Sequence, residues 1–314
     1  MKSIIIVIPY FGEFPSYFKF WLHSAYNNPT VDFLLITDCE LESKKNVKAI
    51  KIKFEEFAEL IKSKFDFNVC IEKPYKLCDY KACYGYLFPE YINEYDFWGF
   101  GDIDLIYGDI RSFFTKKVLE KYYVISGWGH LTLYKNNNYC NEFFKVKTEG
   151  FQYYKEVLSR NKGLAYCEFN HMGLSDHWRY LHPDKIWDSR LFDDIRVPSL
   201  SFNFISEFHN KHSKNLIFEY ENKNLYRIYT NLSGNIIREK TLYVHFQQRG
   251  FMKILTNNTN NYFIVPNKFI DIEQITIRKL EKWTKPRNFK RIIWNFKNRL
   301  KRRFGLILNY FTKI

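Results

Sequence analysis

Several features that would indicate a secreted or membrane-spanning protein are missing from this sequence of 314 residues. Its six cysteines form no C-x-x-C pair and show no spacing typical of zinc ligands, which argues against a disulfide framework and a zinc site. The first apolar run covers only residues 4–8, too short for the core of a secretory leader. No run approaches the roughly 18 apolar residues of a membrane-spanning helix. The sequence therefore predicts a cytoplasmic protein with reduced cysteines.

Proline and glycine are sparse as well, at nine and 13 residues, and they follow no internal repeat that would indicate a solenoid or a propeller. Aromatic residues, by contrast, are abundant. The chain holds 24 Tyr, 31 Phe and 7 Trp, and 46% of it is apolar. This composition excludes a disordered chain and predicts a sizeable packed core.

Acidic residues are absent from positions 285–314, which hold ten Lys and Arg. The other 38 basic and 34 acidic residues nearly balance, so the net charge of +14 belongs mainly to this tail. Its apolar residues recur at helical spacing: Phe289, Ile292, Ile293, Phe296, Leu300, Phe304, Ile307, Leu308 and Phe311. Basic amphipathic helices of this kind lie on anionic membrane surfaces, which is the expectation here. A helix packed on the body and, less favoured, a nucleic-acid arm are the alternatives.

Apolar, β-branched runs alternate with helical patterns over the first half of the chain. Strands are predicted at residues 3–10, 33–38, 47–52, 96–100, 122–126 and 131–134, and helices at 15–26, 54–65, 79–91, 110–122 and 140–159. This alternation predicts an α/β fold with a mostly parallel central sheet flanked by helices. In such sheets, ligands bind beyond the carboxyl ends of the strands. The residues at such ends are Tyr10, Asp38, Asp102 and Asp104.

The stretch from residue 97 to residue 109 stands out, because an apolar run ends there in two carboxylates, Asp102 and Asp104. Carboxylates beside a core strand are unfavourable unless something positive pairs with them. A divalent cation carrying a diphosphate would do so, and an ordinary acidic turn is the alternative. Asp109 directly precedes a predicted helix, so we expect it to act as an N-cap.

Six motifs follow one another between positions 4 and 250. They are Ile8-Pro9-Tyr10-Phe11-Gly12, Leu35-Ile36-Thr37-Asp38, Lys76-Leu77-Cys78-Asp79-Tyr80-Lys81, the stretch 101–109, Gly129-His130-Leu131 and His245-Phe246-Gln247. With these motifs in this order, the sequence resembles nucleotide-sugar glycosyltransferases of the GT-A fold. The resemblance is closest to a little-characterised bacterial family tied to capsule or lipopolysaccharide synthesis.

The resemblance implies a donor site built around Mn²⁺ or Mg²⁺. Asp104 would be a direct metal ligand, Asp102 would be shared between metal and ribose, and His245 would complete the site. A cation bridging the two phosphates stabilises the diphosphate leaving group. For His245 the alternative is a hydrogen-bonded histidine at the end of a strand. Gln247, Gln248 and Arg249 are further candidates for phosphate contacts.

Further donor contacts are implied for Tyr10, Asp38, Asp79, Lys81 and His130. Tyr10 would stack on the nucleobase, and Asp38 would accept its ring N–H. Lys81 would counter phosphate charge, while Asp79 would orient Lys81 or bind a sugar hydroxyl. Trp128 or His130 would form a platform for a sugar ring. Each has a structural alternative. Tyr10 could be a core aromatic residue and Asp38 a turn former. Asp79 and Lys81 could be a surface ion pair, and residues 127–130 could be a tight turn with Trp128 in the core.

The group that decides the stereochemistry is expected after the metal site. The candidate carboxylates are Glu168, Asp176, Asp188, Asp193 and Asp194, with Glu168 the first choice and Asp176 the second. An inverting enzyme would use one of them as a general base, and a retaining enzyme would need a nucleophile or an ion-pair stabiliser.

These expectations combine into a catalytic domain over residues 1–265 and a helical, basic tail over 266–314. Residues 1–135 would bind the nucleotide sugar, with a UDP-sugar favoured, and residues 136–265 a glycan or lipid-linked glycan acceptor. The enzyme would act in surface polysaccharide synthesis, at the cytoplasmic face of the membrane. The alternatives are a basic protein that binds nucleic acid through residues 285–314 and a metal-dependent phosphotransferase.

Overall fold

The computed structural model describes residues 1–169, 172–195, 202, 213–247 and 252–285. The strands are β1 (Ile4–Tyr10), β2 (Asp32–Thr37), β3 (Val47–Lys51), β4 (Phe97–Gly101), β5 (Leu105–Tyr107), β6 (Val124–Trp128), β7 (Leu131–Lys135), β8 (Ile186–Trp187), β9 (Asp193–Asp194), β10 (Ser213–Glu221), β11 (Asn224–Asn231), β12 (Ile236–Lys240), β13 (Tyr243–His245), β14 (Lys253–Ile254), β15 (Asn261–Val265) and β16 (Lys268–Asp271). The helices are α1 (Phe18–Tyr26), α2 (Phe54–Ser63), α3 (Leu77–Tyr80), α4 (Tyr84–Leu87), α5 (Pro89–Ile92), α6 (Ile110–Phe113), α7 (Lys116–Lys121), α8 (Asn138–Glu142), α9 (Tyr154–Ser159), α10 (Leu174–Leu181) and α11 (Ile277–Thr284).

The centre of the molecule is a seven-stranded sheet of order β3-β2-β1-β4-β7-β6-β8. Strands β3, β2, β1 and β4 are parallel, β7 is antiparallel to both β4 and β6, and β8 is parallel to β6. The buried, β-branched run of β1 lies between β2 and β4, as expected for a strand covered on both faces. The predicted α/β fold with a mostly parallel central sheet is confirmed.

Helices cover both faces of this sheet. Alternate residues of β1 enter two cores: Ile6 packs in the one that contains Trp21 of α1, and Val7 in the one that contains Phe57 and Ile61 of α2. Side chains of successive strand residues point to opposite faces, so one apolar strand anchors both layers.

Two predicted long helices are broken, and each break has a local cause. Instead of one helix at 110–122, α6 ends at Phe113 and α7 starts after Thr115, whose side chain accepts a hydrogen bond from the Val118 amide. Within 140–159, the helical backbone ends at Lys145, because Val146 is extended (φ −62°, ψ 130°), and it resumes as α9 at Tyr154.

Asp109 occupies the N-cap position of α6, but the predicted side-chain cap is wrong, because its side chain accepts no capping hydrogen bond. The carboxylate forms an ion pair with Lys223 instead, at 3.1 Å. Asp109 therefore links α6 to the turn between β10 and β11.

A second, six-stranded sheet has the order β12-β11-β10-β15-β16-β14 and is mostly antiparallel. Helix α11 packs against it through Leu280, which shares a small core with Ile217, Ile228 and Phe263. The predicted start of the helical tail at residue 266 is wrong, because residues 268–271 pair as β16 and the helix begins at Ile277. The tail from residue 286 onward lies outside the described residues. Within the described part, no helix combines the length and apolarity needed to cross a membrane.

A three-stranded sheet, β5-β13-β9, joins distant parts of the chain. Strand β13 is antiparallel to β5, with His245 opposite Leu105, and parallel to β9, with His245 opposite Asp194. This small sheet places residues near positions 104, 194 and 245 side by side.

Candidate active site

The carboxyl ends of the parallel strands meet at one edge of the central sheet. Tyr10 at the end of β1 pairs with Thr37, directly before Asp38, and β4 runs alongside β1 before it reaches Asp102. Tyr10, Asp38 and Asp102 therefore share the edge at which the sequence predicts a ligand site.

The backbone of the turn that follows β4 is held from three sides. The Trp21 indole Nε1 of α1 donates to the Asp102 carbonyl oxygen at 3.1 Å. The Asp102 amide donates to the carbonyl oxygen of His130 at 3.2 Å, and the Phe246 amide donates to that of Asp104 at 2.9 Å. A turn bonded to three separate elements holds its side chains in defined positions, as a binding site requires.

Asp102, Asp104 and His245 converge at this turn. Each offers one ligand atom, and these atoms all lie within 4.8 Å of one another. His245 Nε2 lies 3.4 Å from Asp104 Oδ1, because β13 pairs with β5 directly after the turn. Two carboxylates and one imidazole form a donor set that suits Mn²⁺, and the carboxylates also suit Mg²⁺. The residues present therefore fit the metal that the sequence predicts.

Charge in this cluster is balanced by two cations, Lys81 and His245. Burial raises the pKa of Asp102, and the Asp104 charge raises it further, whereas the Lys81 ammonium opposes both effects. Burial lowers the pKa of His245, but Asp104 and Asp194 outweigh burial and raise that pKa to about 10. Because a metal ligand must give up its proton, metal binding at His245 would release one.

Asp194 is the residue of the cluster that the sequence does not identify as a partner of His245. Its Oδ1 lies 2.9 Å from His245 Nδ1, and its Oδ2 accepts a hydrogen bond from Gln247 Nε2 at 2.6 Å. From sequence, Asp194 is only one of five candidate catalytic carboxylates. Its position beside His245 depends on the pairing of β9 with β13, for which no short motif exists.

Lys81 and Asp79, predicted to act together at the donor, face different parts of the molecule. The Lys81 ammonium donates to Asp102 Oδ1 at 2.5 Å and to the Gly129 carbonyl oxygen at 2.7 Å. Asp102 and Gly129 belong to the turns after β4 and β6, so Lys81 joins the acidic turn to a neighbouring loop.

The predicted donor contact of Asp79 is wrong, because its carboxylate is fully buried and already occupied. It pairs with the Lys76 ammonium at 2.7 Å and accepts hydrogen bonds of 3.0 Å from the amides of Leu164 and Tyr166. Asp79 therefore anchors the loop that leads to Glu168.

Tyr10 and Asp38 line the opening of the site. The Tyr10 hydroxyl donates to the Glu13 carbonyl oxygen at 2.6 Å, and Asp38, which is exposed, accepts from the Gly12 amide at 2.9 Å. Burial raises the pKa of Tyr10, and nearby negative groups, including Asp104, raise it further. Tyr10 thus lies within electrostatic reach of the acidic turn, in keeping with its predicted place in the donor pocket.

Trp128, predicted as a possible sugar platform, is held in place by its neighbours. Its indole Nε1 donates to Asp188 Oδ1 at 3.1 Å, and the Arg190 guanidinium lies 5.0 Å from the ring centroid, over one face. The ring also contacts Phe169 and Phe192 edge-on. These neighbours hold the indole in place and cover one of its faces.

His130 lies behind His245, not on the surface of the pocket as a platform would require. It is buried, with its ring centroid 4.6 Å from that of His245, and Nδ1 shares a hydrogen bond of 2.6 Å with the Tyr243 hydroxyl. Burial lowers the pKa of His130 far below its ordinary value, so the imidazole is neutral. The predicted donor contact of His130 is therefore replaced by a supporting position.

Glu168 and Asp176, the predicted catalytic carboxylates, differ in their contacts. A side chain at Gly129 would collide with the Glu168 carboxylate, which shows how closely the two residues pack. Gly129 is the residue whose carbonyl holds Lys81. Asp176 lies in the first turn of α10, and within the described residues no hydrogen bond or ion pair joins it to Asp102. Gln248 and Arg249 lie outside the described residues.

Comparisons with known proteins give one family and several distant structures. Residues 6–273 match a family model described as "Family of unknown function (DUF6625)". No curated protein matches the sequence.

Similar solved structures include the galactosyltransferase LgtC in complex with donor and acceptor sugar analogues, at 14% identity over 60% of this chain and 75% of that chain, with a TM-score of 0.35. An active-site mutant of LgtC is 11% identical over 77% of this chain and 87% of that chain, with a TM-score of 0.39. The glycosyltransferase GlyE of Streptococcus pneumoniae TIGR4 is 12% identical over 60% of this chain and 46% of that chain, with a TM-score of 0.32.

Proposed function

The chain belongs to the DUF6625 family, and we propose that it is a metal-dependent glycosyltransferase. It would move a sugar from a nucleotide-diphosphate sugar, with a UDP-sugar favoured, to a glycan or lipid-linked glycan. The observation that carries this proposal is the convergence of Asp102, Asp104 and His245 beyond the carboxyl end of a parallel strand. Their ligand atoms are close enough to bind one cation, at the edge where such sheets bind nucleotides.

Asp102, Asp104 and His245 would hold Mn²⁺ or Mg²⁺. The cation supplies positive charge to the diphosphate when the bond to the sugar breaks. Lys81 lies beside Asp102 and carries a second positive charge into the site. Burial lowers the pKa of Lys81, but Asp102 outweighs burial and raises it, so the ammonium remains charged at neutral pH.

The nucleoside would lie over Tyr10 and Asp38. Tyr10 is half-buried and fixed through its hydroxyl, which leaves an ordered ring for a base to stack on. Asp38 is exposed at the neighbouring strand end, where a carboxylate oxygen can accept a base N–H. Asp102, at the end of the parallel strand next to β1, would be shared between the metal and the ribose.

Glu168 is the carboxylate that we propose to act on the acceptor side. It packs against Gly129, and the same glycine accepts a hydrogen bond from the Lys81 ammonium. This proximity to the glycine that holds Lys81 supports Glu168 as the first choice over Asp176. We expect Glu168→Gln to lower the rate of sugar transfer while leaving Mn²⁺ affinity unchanged.

We further propose that the basic tail attaches the enzyme to an anionic membrane, at its cytoplasmic face. Residues 285–314 carry ten basic and no acidic residues, a charge that favours such a surface. A lipid-linked acceptor is presented at that surface, which fits a role in bacterial polysaccharide assembly.

The test is turnover of a panel of nucleotide sugars with and without Mn²⁺, in the wild type, Asp104→Asn and Asp109→Asn. Asp109 is the matched control, because it is an aspartate of the same segment that pairs with Lys223 outside the metal set. We expect Asp104→Asn to weaken Mn²⁺ binding and turnover more than about 100-fold, since loss of an outer-shell partner alone costs about 10–100-fold. Full turnover in Asp104→Asn would contradict the proposal, and phosphate release without sugar transfer to any acceptor would favour a phosphotransferase.

A further inference from the structure

We infer that Asp194 is a positioning residue that orients His245 for metal binding. The inference rests on the proposed function and adds a residue to which the sequence motifs give no such role. His245 lies between two carboxylates, with Nε2 at 3.4 Å from Asp104 Oδ1 and Nδ1 at 2.9 Å from Asp194 Oδ1. The two ring nitrogens therefore face two different groups.

The strand pairing fixes this arrangement. His245 lies opposite Asp194 in the parallel pair of β13 and β9, and the adjacent Asp193 lies opposite Val244. Asp193 is buried, and its Oδ1 lies 3.7 Å from Arg227 Nη1. Successive strand residues point to opposite faces, so only one of the two aspartates can reach the imidazole.

The two oxygens of Asp194 face separate groups. Oδ2 accepts the hydrogen bond from Gln247 Nε2 at 2.6 Å, which holds the carboxylate in place. Oδ1 and His245 Nδ1 are buried, and neither has an aligned hydrogen-bond partner within the described residues, although they lie 2.9 Å apart. Each of these atoms is therefore available to the other.

This geometry decides which nitrogen of His245 binds the metal. A metal-bound imidazole keeps one proton, and a carboxylate that accepts this proton fixes both the tautomer and the ring orientation. Asp194 faces Nδ1, so the proton stays on Nδ1 and Nε2 is left to the metal beside Asp104 and Asp102. A histidine without this support would divide between two tautomers and several ring orientations.

The experiment measures Mn²⁺ affinity by electron paramagnetic resonance in the wild type, Asp194→Ala, Asp194→Asn and Asp193→Asn. We expect Asp194→Ala to weaken Mn²⁺ binding about 10–100-fold, the range found for outer-shell partners of metal ligands. Asp194→Asn should recover part of this loss, because its amide oxygen can still accept the Nδ1 proton. Asp193→Asn, the same change one residue earlier, should lower stability without changing the affinity.

A second measurement reads the tautomer directly. In the Mg²⁺-loaded wild type, ¹⁵N NMR of His245 should show the proton on Nδ1, and Asp194→Ala should show a mixture of the two tautomers. A purely structural role of Asp194 would change stability and leave this spectrum as it is. If Asp194→Ala fails to fold, Asp194→Leu decides the question, because leucine is similar in size to aspartate and accepts no hydrogen bond. Wild-type affinity and a wild-type spectrum in that variant would overturn the inference.

The outcomes separate this inference from the proposed function. A wild type that binds no Mn²⁺ contradicts both. A wild type that binds Mn²⁺, with Asp194→Ala unchanged in affinity and tautomer, contradicts the inference alone. A loss of Mn²⁺ affinity in Asp194→Ala as large as that in Asp104→Asn would indicate that Asp194 is itself a metal ligand and would overturn the positioning role. The closeness of Asp194 to His130 and His245 also allows such a role.

Discussion

Lys81 and Asp102, 21 positions apart in the chain, form an ion pair at the entrance to the metal set. Both side chains are mostly shielded from water, with 13% and 26% of their surface exposed. A cation bound to Asp102 would share that carboxylate with the ammonium. The charge of Lys81 therefore stabilises the acidic turn in the metal-free protein and would compete with the proposed metal for Asp102.

Replacement of Lys81 by methionine should reveal this competition. We expect Lys81→Met to lower the free energy of unfolding of the metal-free protein by about 2–3 kcal/mol, as for other hydrogen bonds to charged groups. Mn²⁺ should then raise the melting temperature more in the variant than in the wild type. Lys62→Met is the control, because Lys62 pairs with Glu59 on an exposed helix face, where an ion pair contributes about 1 kcal/mol or less. Equal Mn²⁺ shifts in wild type and Lys81→Met would contradict the competition.

The stability of the metal-free protein should depend on pH through His245. The folded protein holds the pKa of His245 at about 10, above the ordinary value of 6.5, because Asp104 and Asp194 outweigh burial. A group with a raised folded-state pKa stabilises the fold fully below its unfolded-state pKa and loses that contribution as pH rises. The free energy of unfolding, measured in urea, should therefore fall between pH 6.5 and pH 10. The slope should shrink in His245→Gln, and an unchanged slope in that variant would contradict this assignment.

Metal binding should show the opposite dependence on pH. The imidazole must lose a proton to bind the cation, so Mn²⁺ affinity should rise as pH increases from 6.5 towards 10. Isothermal titration calorimetry in buffers of different ionisation enthalpy would count the proton released. Release of no proton at pH 7 would exclude His245 as a ligand of the ion.

Asp79 should be important for stability and unimportant for metal binding. Removal of one partner from a buried ion pair costs about 3–5 kcal/mol, because the other charge is left without compensation. Asp79→Leu leaves Lys76 in that position, and the side chains of the pair are only 0% and 2% exposed. We expect a loss of this size in urea denaturation, with faster hydrogen exchange at the amides of Leu164 and Tyr166. Mn²⁺ affinity should remain that of the wild type, whereas a selective loss of donor binding in a stable Asp79→Leu would restore the role predicted from sequence.

Removal of residues 286–314 should release the protein from vesicles that contain anionic lipid. Each Lys or Arg near such a surface contributes about 1 kcal/mol, and salt screens this attraction. Sedimentation with vesicles should show binding of the full chain that falls with salt and is weak on neutral lipid. Turnover with a soluble acceptor should survive the deletion. Loss of folding would instead indicate a helix packed on the body.

The central sheet and the acidic turn could be predicted because their causes are local. Buried β-branched runs favour parallel strands, and the carboxyl ends of such strands meet at one edge wherever the helices between them lie. Tyr10, Asp38 and Asp102 therefore reach the same edge from their positions in sequence alone. The helix breaks at Thr115 and Val146 escaped prediction because neither residue is a proline or glycine, the residues that most clearly mark a helix end in a sequence.

The partners of His245 and Asp79 could not be predicted, because they depend on contacts between distant segments. Asp194 meets His245 through a parallel strand pair of only two residues per strand, too short to produce a sequence pattern. The 79–81 segment carries two charged residues, and sequence does not show that one faces the acidic turn while the other is enclosed. Asp79 is enclosed by contacts with Lys76 and the Tyr166 amide, whereas Lys81 is held by Asp102 and the Gly129 carbonyl oxygen, all distant in sequence except Lys76.

The three-stranded sheet β5-β13-β9 also has a consequence for the order of folding. Its strands come from positions near 105, 193 and 244, so each pairing closes a long loop of chain, and loop closure of this kind slows the formation of a contact. The pairing of β13 with β5 closes the longest of these loops, because His245 lies opposite Leu105, whereas β1 pairs with β2 (Ile5 opposite Asp32) and with β4 (Ile4 opposite Phe97) over shorter separations. We therefore expect the acidic turn to be present in early compact states, and His245 to join it only in the last stage of folding.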